Sequence, residues 1–150
     1  MARTEERFSD LARALTLMVA RAPTLEPNEV ISALGEIETS FLRKPGLSEK
    51  VRLETRRRVA EWKFRLLSER DLPIATIDKL RADARSLGFP NLETEATMEI
   101  CYGQYPSRQS RFREARRALE VMRAKLYAEP RAERLRALKE EVERVLATLD

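Results

Sequence analysis

The sequence predicts an all-α protein, and three observations carry that prediction. Apolar residues recur at spacings of three and four along most of the chain. The runs are separated by proline, glycine, asparagine or short charged stretches, which stop helices or restart them. Period-two alternation is absent, as are the Asn-Gly and Asp-Gly dipeptides of tight hairpins. The expected architecture is about seven helices arranged as stacked antiparallel hairpins, an α-solenoid closed by a capping helix. A chain of 150 residues is the size of one domain, so residues 1–150 are read as a single all-helical domain.

Each element follows from its own pattern. Phe8, Leu11, Ala12, Leu15, Met18, Val19 and Ala22 write one apolar stripe along a first helix from Thr4 to Arg21, ended by Pro23. Pro27 suits a first helical turn, and Val30, Ile31, Leu34, Ile37, Phe41 and Leu42 carry the second helix to the break at Lys44-Pro45-Gly46. Ser48 is the expected N-cap of a third helix reaching about Glu69. Its second half, with Val59, Ala60, Trp62, Phe64, Leu66 and Leu67, is apolar on more than one face and is expected to be packed on two sides.

Asp71 is the expected cap of a fourth helix bearing Ile74, Ile77, Leu80, Ala84 and Leu87, with Gly88 as its stop. Asn91 restarts the chain for a fifth helix containing Leu92, Ala96, Ile100, Cys101 and Tyr105, ended by Pro106 or Ser107. A sixth, about 108–128, carries Phe112, Ala115, Leu119, Met122 and Leu126. Pro130 opens the seventh, about 130–149, whose single stripe of Leu135, Leu138, Val142, Val145 and Leu149 has the polar back expected of a capping helix.

A faint echo runs through the middle of the chain at a separation of 40 residues, Trp62, Leu72 and Ala75 being answered by Tyr102, Phe112 and Ala115. Internal periods of this order mark stacked helical repeats, in which no unit buries its apolar face alone. The stretch Tyr102-Gly103-Gln104-Tyr105 followed by Arg108 to Leu119 resembles the heart of a tetratricopeptide repeat. Tyr102 and Gly103 stand for its large-then-small pair, and Phe112, Ala115 and Leu119 for the aromatic, small and large positions of its second helix. The resemblance covers roughly residues 56–128, the repeat-like core. Lys63 in the upstream unit and Pro106 in the downstream one depart from the pattern.

The resemblance implies a degenerate, bacterial-type repeat that binds a protein or peptide along the first helices of its hairpins. Carried onto this chain, the ligand-facing positions are Arg57, Ala60, Phe64 and Leu67 in one unit and Thr97, Ile100, Gln104 and Ser107 in the next. The family's two-carboxylate clamp is not recognisable there.

Composition narrows the function classes. The chain has no His and one Cys, Cys101, so His-based triads and His- or Cys-rich zinc sites are ruled out. Gly-rich phosphate loops are absent. Glu5-Glu6 and Glu140-Glu141 are adjacent on helices and diverge, while Glu95 and Glu99 share a face and read as surface charge. No enzyme and no cofactor are expected.

Charge is uneven. Arg outnumbers Lys 23 to 6, and segments 48–70 and 107–128 carry net charges of +4 and +5 against +4 for the whole chain. Arg108, Arg111, Arg113, Arg116, Arg117 and Arg123 crowd the sixth helix. They are expected either to form a binding patch or to be neutralised by Asp71, Asp78, Asp83, Glu93, Glu95 and Glu99 of the fourth and fifth.

The combined expectation is a non-enzymatic, cytoplasmic helical adaptor. Its partner is a protein or peptide, met through Arg57, Phe64, Leu67, Gln104, Arg108, Arg111, Arg113, Arg116 and Arg117. The alternative is a basic helical subunit of a nucleoprotein complex gripping nucleic-acid backbone, and a third reading is self-association. A membrane partner is not expected, since no run of about 18 apolar residues occurs.

Overall fold

A computed structural model describes residues 4–70, 72–104, 111–129 and 133–149. Among these, seven α-helices and two single 3-10 turns form and no strand does. In chain order they are α1 (Thr4–Arg21), a 3-10 turn (Ala22–Thr24), α2 (Pro27–Leu42), α3 (Glu49–Leu67), α4 (Ile74–Leu87), α5 (Leu92–Gln104), α6 (Phe112–Tyr127), a 3-10 turn (Glu133–Leu135) and α7 (Arg136–Thr148).

Local chemistry sets most of the ends. Glu26 and Glu29 close a capping box over the first turn of α2, the Glu26 amide donating to Glu29 Oε1 at 3.0 Å, with Pro27 at its first position. Ser48 Oγ accepts the Val51 amide at 3.2 Å, and Asn91 Oδ1 accepts the Thr94 amide at 2.8 Å, so both polar residues cap the helices that follow them. Gly88 ends α4 at φ 79°, a left-handed backbone that a residue with a Cβ adopts only at a cost.

Three starts fall later than the sequence suggests. α4 begins at Ile74, after an extended Pro73 whose carbonyl accepts from Thr76 and Ile77. α6 begins at Phe112 and α7 at Arg136, behind a 3-10 turn. The expected cap Asp71, the helix end at Tyr105, Pro106 and Ser107, and the start at Pro130 lie outside the described residues.

The packing resolves into two compact units, residues 1–67 and 68–150, dividing within the stretch read as a repeat-like core. In the first, α1 and α2 pair and α3 packs against both. Its buried apolar residues include Leu11, Leu15, Met18, Val30, Leu34, Val51, Val59, Phe64 and Leu67. Thr55, buried among them on α3, donates its hydroxyl to the Val51 carbonyl at 2.8 Å.

In the second unit α5, α6 and α7 pack on one another in all three pairings. Tyr102, Ala115, Leu119, Met122, Leu126, Val142 and Val145 are buried there. Gly103 sits at the closest approach: a Cβ on it would lie 2.7 Å from Leu119 Cδ1 and 2.9 Å from Val145 Cγ1. α7 buries Val142, Val145 and Leu146 and exposes Glu143, Arg144 and Ala147, a one-faced helix.

The 40-residue echo is uneven in three dimensions. Tyr102 and Ala115 are buried, but Phe112 is 38% exposed and Ala75 is exposed, so neither of these two fills the packing position the repeat pattern assigns it. Phe112 is the first residue of α6.

Candidate functional site

The second unit holds a cluster of charged side chains on three helices. Asp78, Arg81 and Arg85 are spaced by three and four residues and share a face of α4. Glu95, Glu99 and Tyr102 do the same on α5, and Arg113, Glu114 and Arg117 lie in the first turns of α6.

Arg81 is the hub. Its side chain is almost wholly buried, and its Nε and Nη2 both donate to Glu99 Oε2, at 3.1 and 3.0 Å. Nη1 donates to Glu114 Oε1 at 2.8 Å. The guanidinium lies 4.2 Å from the centroid of the Tyr102 ring. Tyr102 in turn donates its hydroxyl to Asp78 Oδ1 at 2.7 Å, and Arg111 Nε donates to Asp78 Oδ2 at 2.9 Å. α4 is thereby tied to α5 and α6 by a continuous polar network.

The electrostatics follow from burial and pairing. Burial opposes the Arg81 charge, but Glu99 and then Glu114 outweigh it, and the guanidinium pKa ends above its ordinary value. Burial, reinforced by the hydrogen bond to Asp78, holds the Tyr102 phenol well above its ordinary range. Both groups keep their protons firmly. A residue that must exchange a proton near neutrality needs the opposite.

Beside this network lies a groove of about 540 Å³. Five cationic side chains, Arg81, Arg85, Arg113, Arg117 and Lys125, and three carboxylates, Glu95, Glu99 and Glu114, line it around a strip of Ala118, Val121 and Met122. Each carboxylate is engaged, Glu99 and Glu114 by Arg81 and Glu95 by Lys125 Nζ at 2.8 Å. Arg85, Arg113 and Arg117 make no ion pair among the described residues. Val121 is 49% exposed, which leaves the strip open to a ligand.

The expected site residues meet different fates. Arg113 and Arg117 line the groove. Arg111 is taken by Asp78, and Arg116 pairs with Glu120 one turn along α6 at 3.3 Å. Gln104 is exposed at the end of α5, and Arg108 lies outside the described residues. Arg57 is half-buried on α3 in the first unit. Phe64 and Leu67 are fully buried, so these two positions are a correction: their side chains are used in packing and present no surface to a partner.

The neutralisation expected between the acidic helices and segment 107–128 is partial. Asp78 takes Arg111 and Glu95 takes Lys125, whereas Glu93 and Glu99 pair outside that segment, with Arg134 and Arg81, and Arg113 and Arg117 are left over. Glu99, read from sequence as surface charge, is only 4% exposed.

Arg81 and Arg85 were not singled out from the sequence, and Glu99 was assigned to the surface. A signal was there for Arg81 and Glu99. Arg81 continues the register of Ile77 and Ala84, and Glu99 that of Ala96 and Tyr102, so opposite charges occupy core positions on consecutive helices.

Among the described residues no group of three His, Cys, Asp or Glu side chains is placed to hold a metal ion, and no helix is long and apolar enough to cross a membrane. No protein-family model, curated protein or solved structure matches the chain significantly.

Proposed function

We propose that the chain is a non-enzymatic helical adaptor whose C-terminal unit holds an acidic segment of a protein partner in the groove between α4, α5 and α6. The observation that carries this reading is the trio Arg85, Arg113 and Arg117, three guanidinium groups without ion-pair partners among the described residues, set around an apolar strip. Guanidinium groups fork onto carboxylates, and an exposed valine beside them supplies a desolvated anchor.

A hairpin scaffold of tetratricopeptide-like kind agrees with the burial of Tyr102, Gly103, Ala115 and Leu119. The exposed Phe112 departs from that pattern.

Nucleic-acid backbone is the second reading, because the same arginines suit phosphates. One feature favours polypeptide: the strip of Ala118, Val121 and Met122 can anchor an apolar side chain and offers nothing to a phosphate.

Fluorescence anisotropy separates the readings. The probes are a labelled amphipathic peptide of alternating leucine and glutamate turns and a single-stranded oligonucleotide of equal charge. The peptide is expected to bind more tightly at about 0.15 M salt and to keep part of its affinity at higher salt, where screening removes purely ionic binding. Arg113→Glu with Arg117→Glu is expected to weaken it at least tenfold, about 1.4 kcal/mol, and Val121→Lys to weaken the peptide but not the oligonucleotide. Tighter oligonucleotide binding, or peptide binding indifferent to these changes, would overturn the reading.

A further inference from the structure

The α1–α2 hairpin carries a groove of its own, about 390 Å³, which the arginine-walled site does not involve. It arises because both helices bear a second apolar stripe. On α1, Leu11, Leu15 and Met18 face the core, while Ala14 and Leu17, one residue out of that register, do not. On α2, Val30 and Leu34 are buried, while Ala33, Ile37 and Phe41 form a half-buried row beside them. The two outer rows line the groove together, and Leu17 stands at its edge 62% exposed, more than any other large apolar side chain described.

Two charges flank it. Arg21 on α1 and Glu36 on α2 are exposed, line the groove, and make no ion pair among the described residues. Opposite signs thus stand on opposite walls of an apolar hollow that has its own apolar projection.

We propose that this face joins two copies of the chain about a two-fold axis, with α1 of each protomer against α2 of the other. A surface with a projection and a hollow, and a positive and a negative wall, is complementary to itself. In an isologous contact every pairing occurs twice, so Arg21 of each copy meets Glu36 of the other. Leu17 of each enters the hollow of the other, where the small side chains of Ala14 and Ala33 leave it room. The product is a four-helix arrangement of two hairpins, in which each hairpin covers the stripe that the other cannot bury alone.

The test is sedimentation equilibrium of the full chain across about 1 to 100 µM, a range that brackets a dimer of micromolar affinity. The wild-type protein is expected to shift from monomer to dimer. Leu17→Glu is expected to abolish the shift, and Arg21→Glu or Glu36→Arg alone to weaken it about tenfold or more, since each sets like charges opposite one another. The double variant R21E/E36R restores the pairing with signs exchanged and is expected to recover wild-type association. Arg21 and Glu36 are exposed, and circular dichroism of each variant is expected to match the wild type. A chain monomeric throughout the range, a dimer indifferent to the single reversals, or a double variant without recovery would each overturn the proposal, a dimer indifferent to the reversals placing the contact on another surface.

Discussion

Arg81 shows how much a single side chain decides here. It occupies a helix position that periodicity reserves for an apolar residue, and its charge is held there by Glu99 on the next helix. Removing one member of such a buried pair costs more than removing both, because the survivor is a charge without water or partner. Arg81→Met is therefore expected to destabilise the protein by about 3 kcal/mol or more, and the pair R81M/E99L to recover most of that loss, as read by chemical denaturation. Tyr102 gives a pH signature. Its folded pKa lies above the ordinary phenol value of 10.0, so the folded protein keeps a proton that the unfolded chain sheds. Stability present below pH 10 is expected to fall as pH rises beyond it, and Tyr102→Phe to flatten that decline, a comparison made by alkaline denaturation of the two proteins. Individual side chains were read unevenly from sequence. The arginines of α6 announced themselves by density, and Arg113 and Arg117 do line the groove. Phe64 and Leu67 were assigned outward by analogy with a repeat, and on a helix packed on two sides composition alone does not say which apolar residue remains uncovered.

Helix identity and most boundaries were legible because they rest on local chemistry. Ser48 and Asn91 cap through their own side chains, Gly88 supplies a left-handed stop, and Pro27 opens α2. The late starts of α4 and α6 were not, since a run of apolar residues marks the existence of a helix more securely than its first turn. At this scale the close crossing of α5 with α6 and α7 depends on the missing side chain of Gly103. Alanine there gains about 1 kcal/mol of helix propensity, but its Cβ meets Leu119 and Val145 well inside contact distance. Overpacking of this kind costs about 1 to 3 kcal/mol. Gly103→Ala is expected to lower the thermal midpoint, and Gly103→Ala with Leu119→Val and Val145→Ala to recover part of it. A midpoint raised by Gly103→Ala alone would show that the two side chains retreat at little cost.

Over the whole molecule the packing forms two units, and the polar network from Asp78 to Glu114 lies entirely within the second. A fragment of residues 68–150 is expected to remain helical and to melt cooperatively, with circular dichroism as the measurement; a helical signal that fades without a transition would count against it. The sequence by itself determined that this chain is helical, where most helices stop, that it has no histidine and a single cysteine, and that its positive charge is concentrated in two segments. Those properties depend on neighbours within about one helical turn, or on composition alone. Only the tertiary structure decided that Phe64 and Leu67 are core, that Arg81 and Glu99 are a buried pair, and that Arg85 stands with Arg113 and Arg117 around one groove. These depend on which helices meet and at what rotation, and helical periodicity names the face a residue occupies without naming the helix that face will touch.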